Sequence, residues 1–594
     1  MYYSKLLGKG ARPGWVYVQS HSTILKIELV KVLCTPLNMT KKFPLYIHFG
    51  HPLNFPINIA TIFIRKTMEY YIKFLSLISF LYAFIHIIAF GLISKNTKSR
   101  LPPGPPSYPL IGNILQLGPS KLHQSLAKLS KTYGPIMSVK IGTINTVVIS
   151  SPKIAKEALH KNDQALSNRL VPESVQALSH DKYSIIFMPI SPKWKTLRKI
   201  CATKIFSSQQ LDSTQALRLK KLKELVVYLQ ENCRKGKAID IGEVAFTISL
   251  NSISSTLFSI DLASFTSNSS QKFRDVISSM LFDASKPNIA DYYPVLRRID
   301  PQGAQRRMKN YYQKLLTLFE SIIKDRSNRM KDFMMEGSDV LDSFLVIIQK
   351  ENPELTLHEV LHLFLVRIDE KHEFSNILNL IFLVTTHTLL QDLFVAGTDT
   401  TSATVEWAMT ELLQNPNKLM KLRKELQQVI NKDEDPKDLD INKLPYLQAV
   451  VKETLRLHPS APILVHKSIS DVDLCGFRVP KDTQVLVNVW SMGRDSSIWT
   501  DPNVFLPERF LECGEVFRGE DFGFIPFGAG RRMCPGVPFA HRVVHTMLAT
   551  LLYHFDWKLP DGEKIEDMDM TEKFGITLHK VKPLMAIPVK TMNK

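Results

Sequence analysis

A glycine-rich loop around one cysteine, near the C-terminal end of the chain, is the feature that most limits what this sequence can fold into. The loop runs Phe527-Gly-Ala-Gly-Arg-Arg-Met-Cys534-Pro-Gly536 and leads into an apolar run, residues 537–553, that predicts a helix. Proline is favoured at the first position of a helix, so Pro535 places Cys534 at a helix N-terminus, where the dipole and free N–H groups favour a thiolate. The sequence therefore predicts a metal-ligating cysteine. The alternative is a free cysteine in a glycine-rich turn.

Every fixed position of the pattern Phe-x-x-Gly-x-Arg-x-Cys-x-Gly is filled in this loop. This is the haem-thiolate pattern, and on these residues the chain resembles a cytochrome P-450. The resemblance implies a mainly α-helical catalytic domain with small β-sheets behind an N-terminal transmembrane helix. It also implies a haem whose iron takes Cys534 as axial ligand, with Phe527 and Gly528 beside it.

Composition is consistent with a large packed protein in a reducing compartment. The hydrophobic fraction is 44%, and the six cysteines show neither disulfide-type nor zinc-type spacing. The net charge is +19, but no basic block is interleaved with aromatic residues, which argues against a nucleic-acid partner. The basic charge suits an anionic membrane surface or an acidic redox partner, and charge alone does not separate these from a merely solvated surface.

Residues 1–67 form an extension of doubtful status. They contain nine basic side chains and one acid, without a clear period or a repeat. A transit peptide lacks acids in the same way but is richer in Arg and Ser than this stretch. Met68 opens a more usual beginning, so we interpret the extension as a product of the chosen start codon.

Residues 68–100 predict a transmembrane anchor with a basic flank. Phe74–Ile93 is an uncharged run of 20 residues, interrupted only by His86 and long enough to span a bilayer as a helix. Three basic residues follow it, and by the positive-inside rule they keep the downstream body cytoplasmic. With the resemblance, this predicts a single-pass protein of the endoplasmic reticulum membrane.

Residues 101–112 predict a stiff hinge, and residues 113–594 predict one catalytic domain. The hinge begins Leu101-Pro-Pro-Gly-Pro-Pro106, a proline density that no helix tolerates. After it, helical periodicity dominates and no composition break divides the chain. The clearest stretches are helical at 208–230, 305–330 and 404–430 and strand-like at 136–150 and 484–489.

An extra segment, residues 364–389, interrupts the resemblance. Related chains run directly from a helix start at residues 361–363 into residues 390–394, whereas this chain carries about 26 residues between them. Our hypothesis is an intron read through in frame. The rival is a genuine looped-out insertion.

Three charged residues predict a buried structural network. Glu453 and Arg456 lie three apart on a predicted helix, and Arg509 follows in a later loop. In the family that the chain resembles, such residues form an ion-pair network that assembles the haem pocket. A buried carboxylate needs paired cations, which two guanidiniums provide.

The resemblance assigns two further pairs and one arginine. Asp399 and Thr400, in the helical stretch 390–414, would relay protons during oxygen activation, a general acid–base role. Trp194 and Arg198, at helical spacing, would meet the haem propionates together with Arg532. The hydroxyls around Thr400 predict a local interruption of the helix.

The stretch after Pro462 departs from the family pattern, which carries a further proline followed by Arg or His. The sequence reads Val465-His466-Lys467 and lacks the usual proline. Which of His466 and Lys467 would face a propionate stays open.

The predicted substrate pocket is apolar and suits a small hydrophobic substrate. Similarity over 291–303 and 519–557 to plant terpenoid hydroxylases of the geraniol 8-hydroxylase type implies a monoterpenol or a diterpene. The candidate lining residues are Ile186, Phe187, Met188, Val395, Ala396, Ile463, Leu464 and Ile576.

No glycine-rich nucleotide-binding unit occurs in the sequence, so we expect electrons from a separate NADPH–cytochrome P-450 reductase. The resemblance then predicts a monooxygenase that uses dioxygen. Two alternatives remain: a haem-thiolate isomerase or dehydratase, and an inactive protein disrupted by residues 364–389.

Overall fold

A computed structural model describes residues 15–20, 23–28, 58–93, 101–118, 121–265, 269–332, 339–341, 374–430, 440–511, 519 and 521–591. The chain divides into two compact units, Met1–Lys98 and Ser99–Lys594. The first unit contains an antiparallel hairpin, β1 (Trp15–Ser20) and β2 (Thr23–Glu28), and helix α1 (Asn58–Ile93). The hairpin is an addition to the sequence analysis, which assigned no element to residues 1–67.

Helix α1 contains the whole stretch predicted to cross a membrane. Within the residues that the structure describes, no helix is both long enough and apolar enough to do so. Residues 85 and 87–93 of the predicted span lie outside the described side chains.

Helices dominate the second unit, as predicted. They are α2 (Ile114–Leu117), α3 (Leu122–Tyr133), α4 (Pro152–Lys156), α5 (Pro192–Ile200), α6 (Ser208–Ser213), α7 (Gln215–Lys235), α8 (Ile241–Phe258), α9 (Ser269–Ser285), α10 (Ile289–Tyr292), α11 (Ala304–Asp332), α12 (Phe374–Gln414), α13 (Pro416–Val429), α14 (Pro445–Leu457), α15 (Val489–Met492) and α16 (Val537–His554). The predicted helical stretches are confirmed within α6–α7, α11 and α12–α13.

The strands form small sheets. They are β3 (Ile136–Ile141), β4 (Ile144–Ile149), β5 (Ile239–Asp240), β6 (Ile463–Lys467), β7 (Val472–Leu474), β8 (Phe477–Val479), β9 (Gln484–Asn488), β10 (Phe555–Lys558), β11 (Glu572–Lys573), β12 (His579–Lys580) and β13 (Met585–Lys590). The largest has the order β3-β4-β9-β6, with β4 and β9 parallel and the other pairs antiparallel. The two strand predictions are confirmed as β3, β4 and β9.

Helices α8 and α12 pack together at the centre of the main hydrophobic core. Every residue of helix α8 except Glu243 is buried, as expected for a helix without a polar face. Its buried hydroxyls bond to carbonyls four residues earlier, for example Ser249 to Ala245 (2.7 Å) and Thr256 to Ser252 (2.8 Å). This pair makes α12 a rigid wall for the site described below.

Helix α12 also corrects the view of residues 364–389 as a separate segment. The helix begins at Phe374 and is continuous to Gln414, so the second part of the predicted insertion extends the helix. Residues 364–373 lie outside the described part of the chain. The physical reason is the apolar, helix-compatible composition of residues 374–389, which joins the following helix without a breaker.

Candidate active site

Cys534 is presented by a closed loop. Its N–H donates to the carbonyl of Phe527 at 3.0 Å. Gly528 and Gly530 have φ values of +73° and +66°, a region that glycine adopts without steric cost. At Gly530 an added Cβ would lie 2.2 Å from the Leu159 carbonyl oxygen. Glycine is therefore required for the loop to pack this closely.

The helix after the loop begins later than predicted. Helix α16 starts at Val537, and Gly536 precedes it with non-helical φ and ψ values of −84° and 6°. The early helical position that favours proline is taken by Pro538, not by Pro535. Cys534 thus lies outside the helix, and the N–H groups of Gly536 and Val537 hydrogen-bond to its sulfur.

The environment of Cys534 does not by itself produce a thiolate. Burial raises the pKa of the thiol above its ordinary value of 9.0, against the opposing effects of the two backbone N–H groups and the charge of Arg198. The two N–H groups favour the thiolate, as expected of a position near a helix N-terminus, but burial outweighs them. A metal cation supplies what is missing, because coordination deprotonates a thiol outright.

Cys534 faces a cavity of about 330 Å³. Helix α12 forms one wall through Ala396, Gly397 and Thr400, and the cysteine loop forms another. Strand β6 contributes Leu464. The lining is mostly apolar, so that water is disfavoured beside the sulfur.

Three arginines line the same cavity, and Asp392 is the one carboxylate in its described lining. Arg532 donates to the carbonyls of Ser167 (2.8 Å) and Met188 (2.6 Å) and stacks 4.8 Å over the ring of Trp194. Arg198 stacks over the same ring at 5.6 Å. The indole N–H of Trp194 donates to a backbone carbonyl at 3.0 Å. Of the predicted pair, Arg198 is therefore the member with a charge to offer a propionate.

The third arginine, Arg169, was not anticipated. Its buried Nε has no hydrogen-bond partner among the described residues, and burial lowers its pKa to about 10. Burial, together with the charges of Arg169 and Arg198, lowers the pKa of Arg532 to about 9. These residues need an anionic partner. Haem, with two carboxylates and an iron that a thiolate can ligate, fits this set of groups.

His466, not Lys467, lines the cavity. Its Nδ1 lies 2.9 Å from the carbonyl of Leu166, so Nδ1 carries the proton and donates it. Burial lowers the pKa of His466 to about 3, which keeps the imidazole neutral. Lys467 instead pairs with Asp482 at 2.8 Å.

Asp399 and Thr400 are consecutive on α12 and face different cavities. Thr400 lines the Cys534 cavity and donates its hydroxyl to the Ala396 carbonyl at 2.6 Å. Asp399 is buried on another side of the helix, where it lines a second cavity of about 220 Å³ and accepts from His579 Nε2 at 2.9 Å. Successive helical residues point about 100° apart, which separates the two side chains.

The predicted interruption of the helix near these residues does not occur. Helix α12 is continuous through residues 396–401. The hydroxyls of Thr398, Thr400 and Thr401 each donate to the carbonyl four residues earlier, at 2.6–2.7 Å. They supplement the helical hydrogen bonds and do not replace them.

Three of the predicted pocket residues, Ile186, Ala396 and Leu464, line the Cys534 cavity. The others lie elsewhere. Val395 is buried in the main core, as is Met188, and Phe187 is half-buried beside the cavity lining. Neighbouring residues on a helix or strand face different sides, which explains why Ile463 packs against a separate core cluster while Leu464 faces the cavity.

The prediction that Ile576 lines the substrate pocket was wrong. It is 42% exposed and lines the second cavity, on the side of α12 that carries Asp399. Its turn places it at the outer rim of that cavity, so it does not reach the Cys534 cavity.

The three residues of the predicted charged network are brought together. Arg456 donates to Glu453 through Nε (2.7 Å) and Nη2 (2.8 Å), and Arg509 Nε donates to Glu453 at 3.1 Å. Glu453 and Arg456 side chains are fully buried. None of the three lines the Cys534 cavity, which suits a structural role.

Sequence reasoning also missed Asp392, which lines the Cys534 cavity. Its carboxylate accepts from His180 Nε2 (3.0 Å) and from the Ser184 hydroxyl (2.6 Å). Its position four residues before Ala396 places both on one face of α12, a spacing that could have identified it. Arg169 lies in a loop, and no motif in the sequence marks it.

The chain matches the model of a known protein family over most of its length. The sequence model of the family described as Cytochrome P-450 matches residues 102–368 and 383–586. The unmatched residues, 369–382, lie within the predicted insertion.

The alignments with three named relatives cover nearly the whole length of each relative. Cytochrome P-450 76T24 of Catharanthus roseus is 47% identical over 84% of this chain and 95% of its own. Geraniol 8-hydroxylase of Catharanthus roseus is 44% identical over 86% of this chain and 98% of its own, and that of Swertia mussotii is 44% identical over 86% and 97%.

A solved zebra fish cytochrome P-450 with progesterone has the same fold. The TM-score is 0.64 at 24% identity, covering 79% of this chain and 99% of that one. The family match, the relatives and the shared fold lead to one conclusion. The chain belongs to the cytochrome P-450 family and is a haem-thiolate monooxygenase, an oxidoreductase whose cofactor is haem.

Proposed function

We propose that this protein hydroxylates a small apolar terpenoid, a monoterpenol such as geraniol or a diterpene, with dioxygen and electrons from NADPH. The observation that carries the proposal is the apolar lining that α12 and β6 give the Cys534 cavity through Ala396, Gly397 and Leu464, in addition to the groups that would hold the haem. A cavity of this character favours a small hydrophobic ligand over a charged one. The geraniol 8-hydroxylases among its relatives support the terpenoid class.

When bound, the haem supplies the oxygen activation and the oxidising power, and the protein supplies position, dryness and protons. Cys534 is placed to ligate the iron. Arg169, Arg198 and Arg532 are placed to neutralise the two carboxylates. Ala396 and Leu464 exclude water from the space in which the substrate lies, and Thr400 offers a hydroxyl there.

The proposed electron donor is a separate NADPH–cytochrome P-450 reductase. Its support is the sequence, which contains no glycine-rich nucleotide-binding unit. The net charge of +19 also suits an acidic partner.

The proposed location is the endoplasmic reticulum membrane, with one span and a cytoplasmic catalytic domain. The span rests on the uncharged sequence of residues 74–93. In the second unit, exposed apolar residues support contact with a bilayer. They occur on two segments joined by a hydrogen bond from the Tyr293 hydroxyl to the Leu110 carbonyl (3.0 Å), namely Tyr108, Leu110, Leu115, Val295 and Ile299.

A terpenoid panel tests the substrate class. Microsomes that contain the full chain and a reductase are incubated with monoterpenols and diterpenes, with and without NADPH. We expect a hydroxylated product that requires NADPH, oxygen and reductase. Products formed without NADPH would instead indicate an isomerase or dehydratase. A haem-loaded protein that converts no terpenoid would reject the substrate class.

Fractionation tests the location. We expect the full chain in the membrane pellet, with its C-terminal domain digested by protease added outside sealed microsomes. Recovery in the high-speed supernatant, or protection of that domain from protease, would contradict the proposed topology.

A further inference from the structure

The second cavity connects the protein surface with the buried Asp399. Its outer rim includes the exposed Lys573 and Ile576, and its inner end is Asp399, whose side chain is 2% exposed. The volume of about 220 Å³ is ample for water, since a single water needs roughly 10–15 Å³ of such space and two to four polar partners. The walls supply these partners.

His579, on β12, lies between the outer rim of the second cavity and its inner end at Asp399. Its side chain is 29% exposed, and its Nε2 lies 2.9 Å from Asp399 Oδ2. No other charged contact of Asp399 is this short among the described residues. A group that reaches solvent on one side and a buried carboxylate on the other is placed to control that carboxylate.

The charged groups around His579 come from four elements. Helix α12 contributes Asp399 and Glu406, α9 contributes Arg274 and Asp275, β11 contributes Lys573, and β12 itself contributes Lys580. Arg274 is paired with Asp240 at 2.9 Å, and Glu406 accepts from the Leu584 N–H at 3.0 Å. Asp399 is therefore the partner that His579 meets directly.

The charges of the pair agree with this geometry. Burial lowers the pKa of His579, but the charge and hydrogen bond of Asp399 outweigh it, so the pKa stands above the ordinary 6.5. Burial raises the pKa of Asp399, but His579 outweighs it, so that pKa stands below 3.8. Both shifts favour the form of the pair in which His579 is an imidazolium and Asp399 a carboxylate.

Helix α12 separates this cavity from the Cys534 cavity, and the consecutive residues 399 and 400 line one cavity each. Asp399 opens to the second cavity and Thr400 to the first. From the exposed rim inward, the order of groups is thus His579, Asp399 and the turn of α12 that carries Thr400.

We propose that His579 is a positioning residue for proton delivery, and that the second cavity is the route by which solvent protons reach Asp399. The proposal rests on the proposed monooxygenase reaction. The His579 imidazolium gives its proton to the Asp399 carboxylate, which leaves a neutral imidazole and a carboxylic acid. Asp399 then gives that proton to water on the Thr400 side of α12 and becomes a carboxylate again, and a proton from solvent in the second cavity re-protonates the imidazole. Only N–H and O–H bonds change.

The first test measures how much of the NADPH consumed leads to hydroxylated product and how much leads to hydrogen peroxide. With full-length protein, reductase and NADPH, we expect His579→Gln to lower product per NADPH on the order of 10-fold, less than the ~10²-fold of a group that acts on the reacting atoms. Hydrogen peroxide should rise by the matching amount, while the carbon-monoxide spectrum stays as in wild type. His579→Lys, which keeps a cation, should lose less. The exposed His160→Gln is the matched control and should change nothing.

The pH profile separates this role from a structural one. In wild type, product per NADPH should fall as pH rises through the raised pKa of His579, because the stored proton is lost there. In His579→Gln that fall should be absent. A His579→Gln protein with wild-type coupling and a wild-type pH profile would overturn the proposal.

A titration of the pair needs neither substrate nor reductase, so its failure is distinct from failure of the proposed function. Histidine-labelled full-length protein is titrated by NMR, and the His579 signal is assigned by its loss in His579→Gln. We expect a pKa above 6.5 that falls in Asp399→Asn. A pKa at or below 6.5 that Asp399→Asn leaves unmoved would also overturn the proposal.

Discussion

At the scale of single residues, the site stores unfavourable electrostatics that haem relieves. Burial raises the pKa of the Cys534 thiol, and burial, together with the charges of Arg169 and Arg198, lowers the pKa of Arg532 to about 9. An iron cation lowers the cost of the thiolate, and two carboxylates lower the cost of the guanidiniums. Haem binding should therefore stabilise the folded chain, since a ligand that binds only the native state adds to its stability.

The variant Arg198→Ala tests whether one of these guanidiniums holds the haem. Loss of charge-assisted hydrogen bonds worth about 1.5–3 kcal/mol should speed haem loss about 10- to 100-fold. The measurement is the rate of haem transfer to excess apomyoglobin. Arg531→Ala is the matched control, because Arg531 is a neighbouring arginine outside the cavity lining. Equal rates for both variants would show that Arg198 does not hold the haem.

At the scale of elements, α14 is fixed to the following loops through Glu453. Besides Arg456 and Arg509, Glu453 accepts the N–H of Leu506 at 2.7 Å. Arg456 in turn donates to the Pro502 carbonyl at 2.6 Å. One carboxylate therefore orders a helix and a loop that leads towards the cysteine.

We expect Glu453→Gln to cost about 3–5 kcal/mol of folding free energy, because it leaves buried guanidinium charge uncompensated. The matched control is Glu508→Gln. Glu508 pairs with Lys418 (2.8 Å) and Lys421 (3.1 Å) at a more exposed site, where about 0.2–1 kcal/mol is at stake. Urea midpoints measure both. A Glu453→Gln midpoint equal to that of Glu508→Gln would contradict the network role.

Local patterns account for the elements and for the cysteine loop, whereas packing decides which side chains meet. Periodicity identified α11 and β9, and the ordered glycines identified the loop. Sequence periodicity could not reveal that Asp399 faces away from the Cys534 cavity, because the direction of that side chain depends on which face of α12 packs against α8. Arg169 and His579 were missed for a related reason. Each reaches its cavity through tertiary contacts with residues distant in sequence.

At the scale of the whole molecule, residues 364–389 raise the question of whether the chain as given works. The family match breaks at 369–382, and α12 continues through 374–389 into the wall of the site.

We therefore expect a chain without residues 364–389 to retain haem and turnover, since the wall from residue 390 onward keeps its packing against α8. Side-by-side spectra and product yields of the two chains test this. Loss of haem in the shortened chain would contradict it. Transcript sequencing tests the intron hypothesis, which a message encoding these residues in most copies would reject.

The central claim is that Cys534 ligates the haem iron beneath the apolar wall of α12. The carbon-monoxide difference spectrum of the reduced protein tests it most directly, with Cys534→Ser beside wild type. Cys475→Ser, at an exposed cysteine, is the control. We predict a thiolate-type Soret band in wild type and in the control, and its loss in Cys534→Ser. An unchanged band in Cys534→Ser would contradict the account.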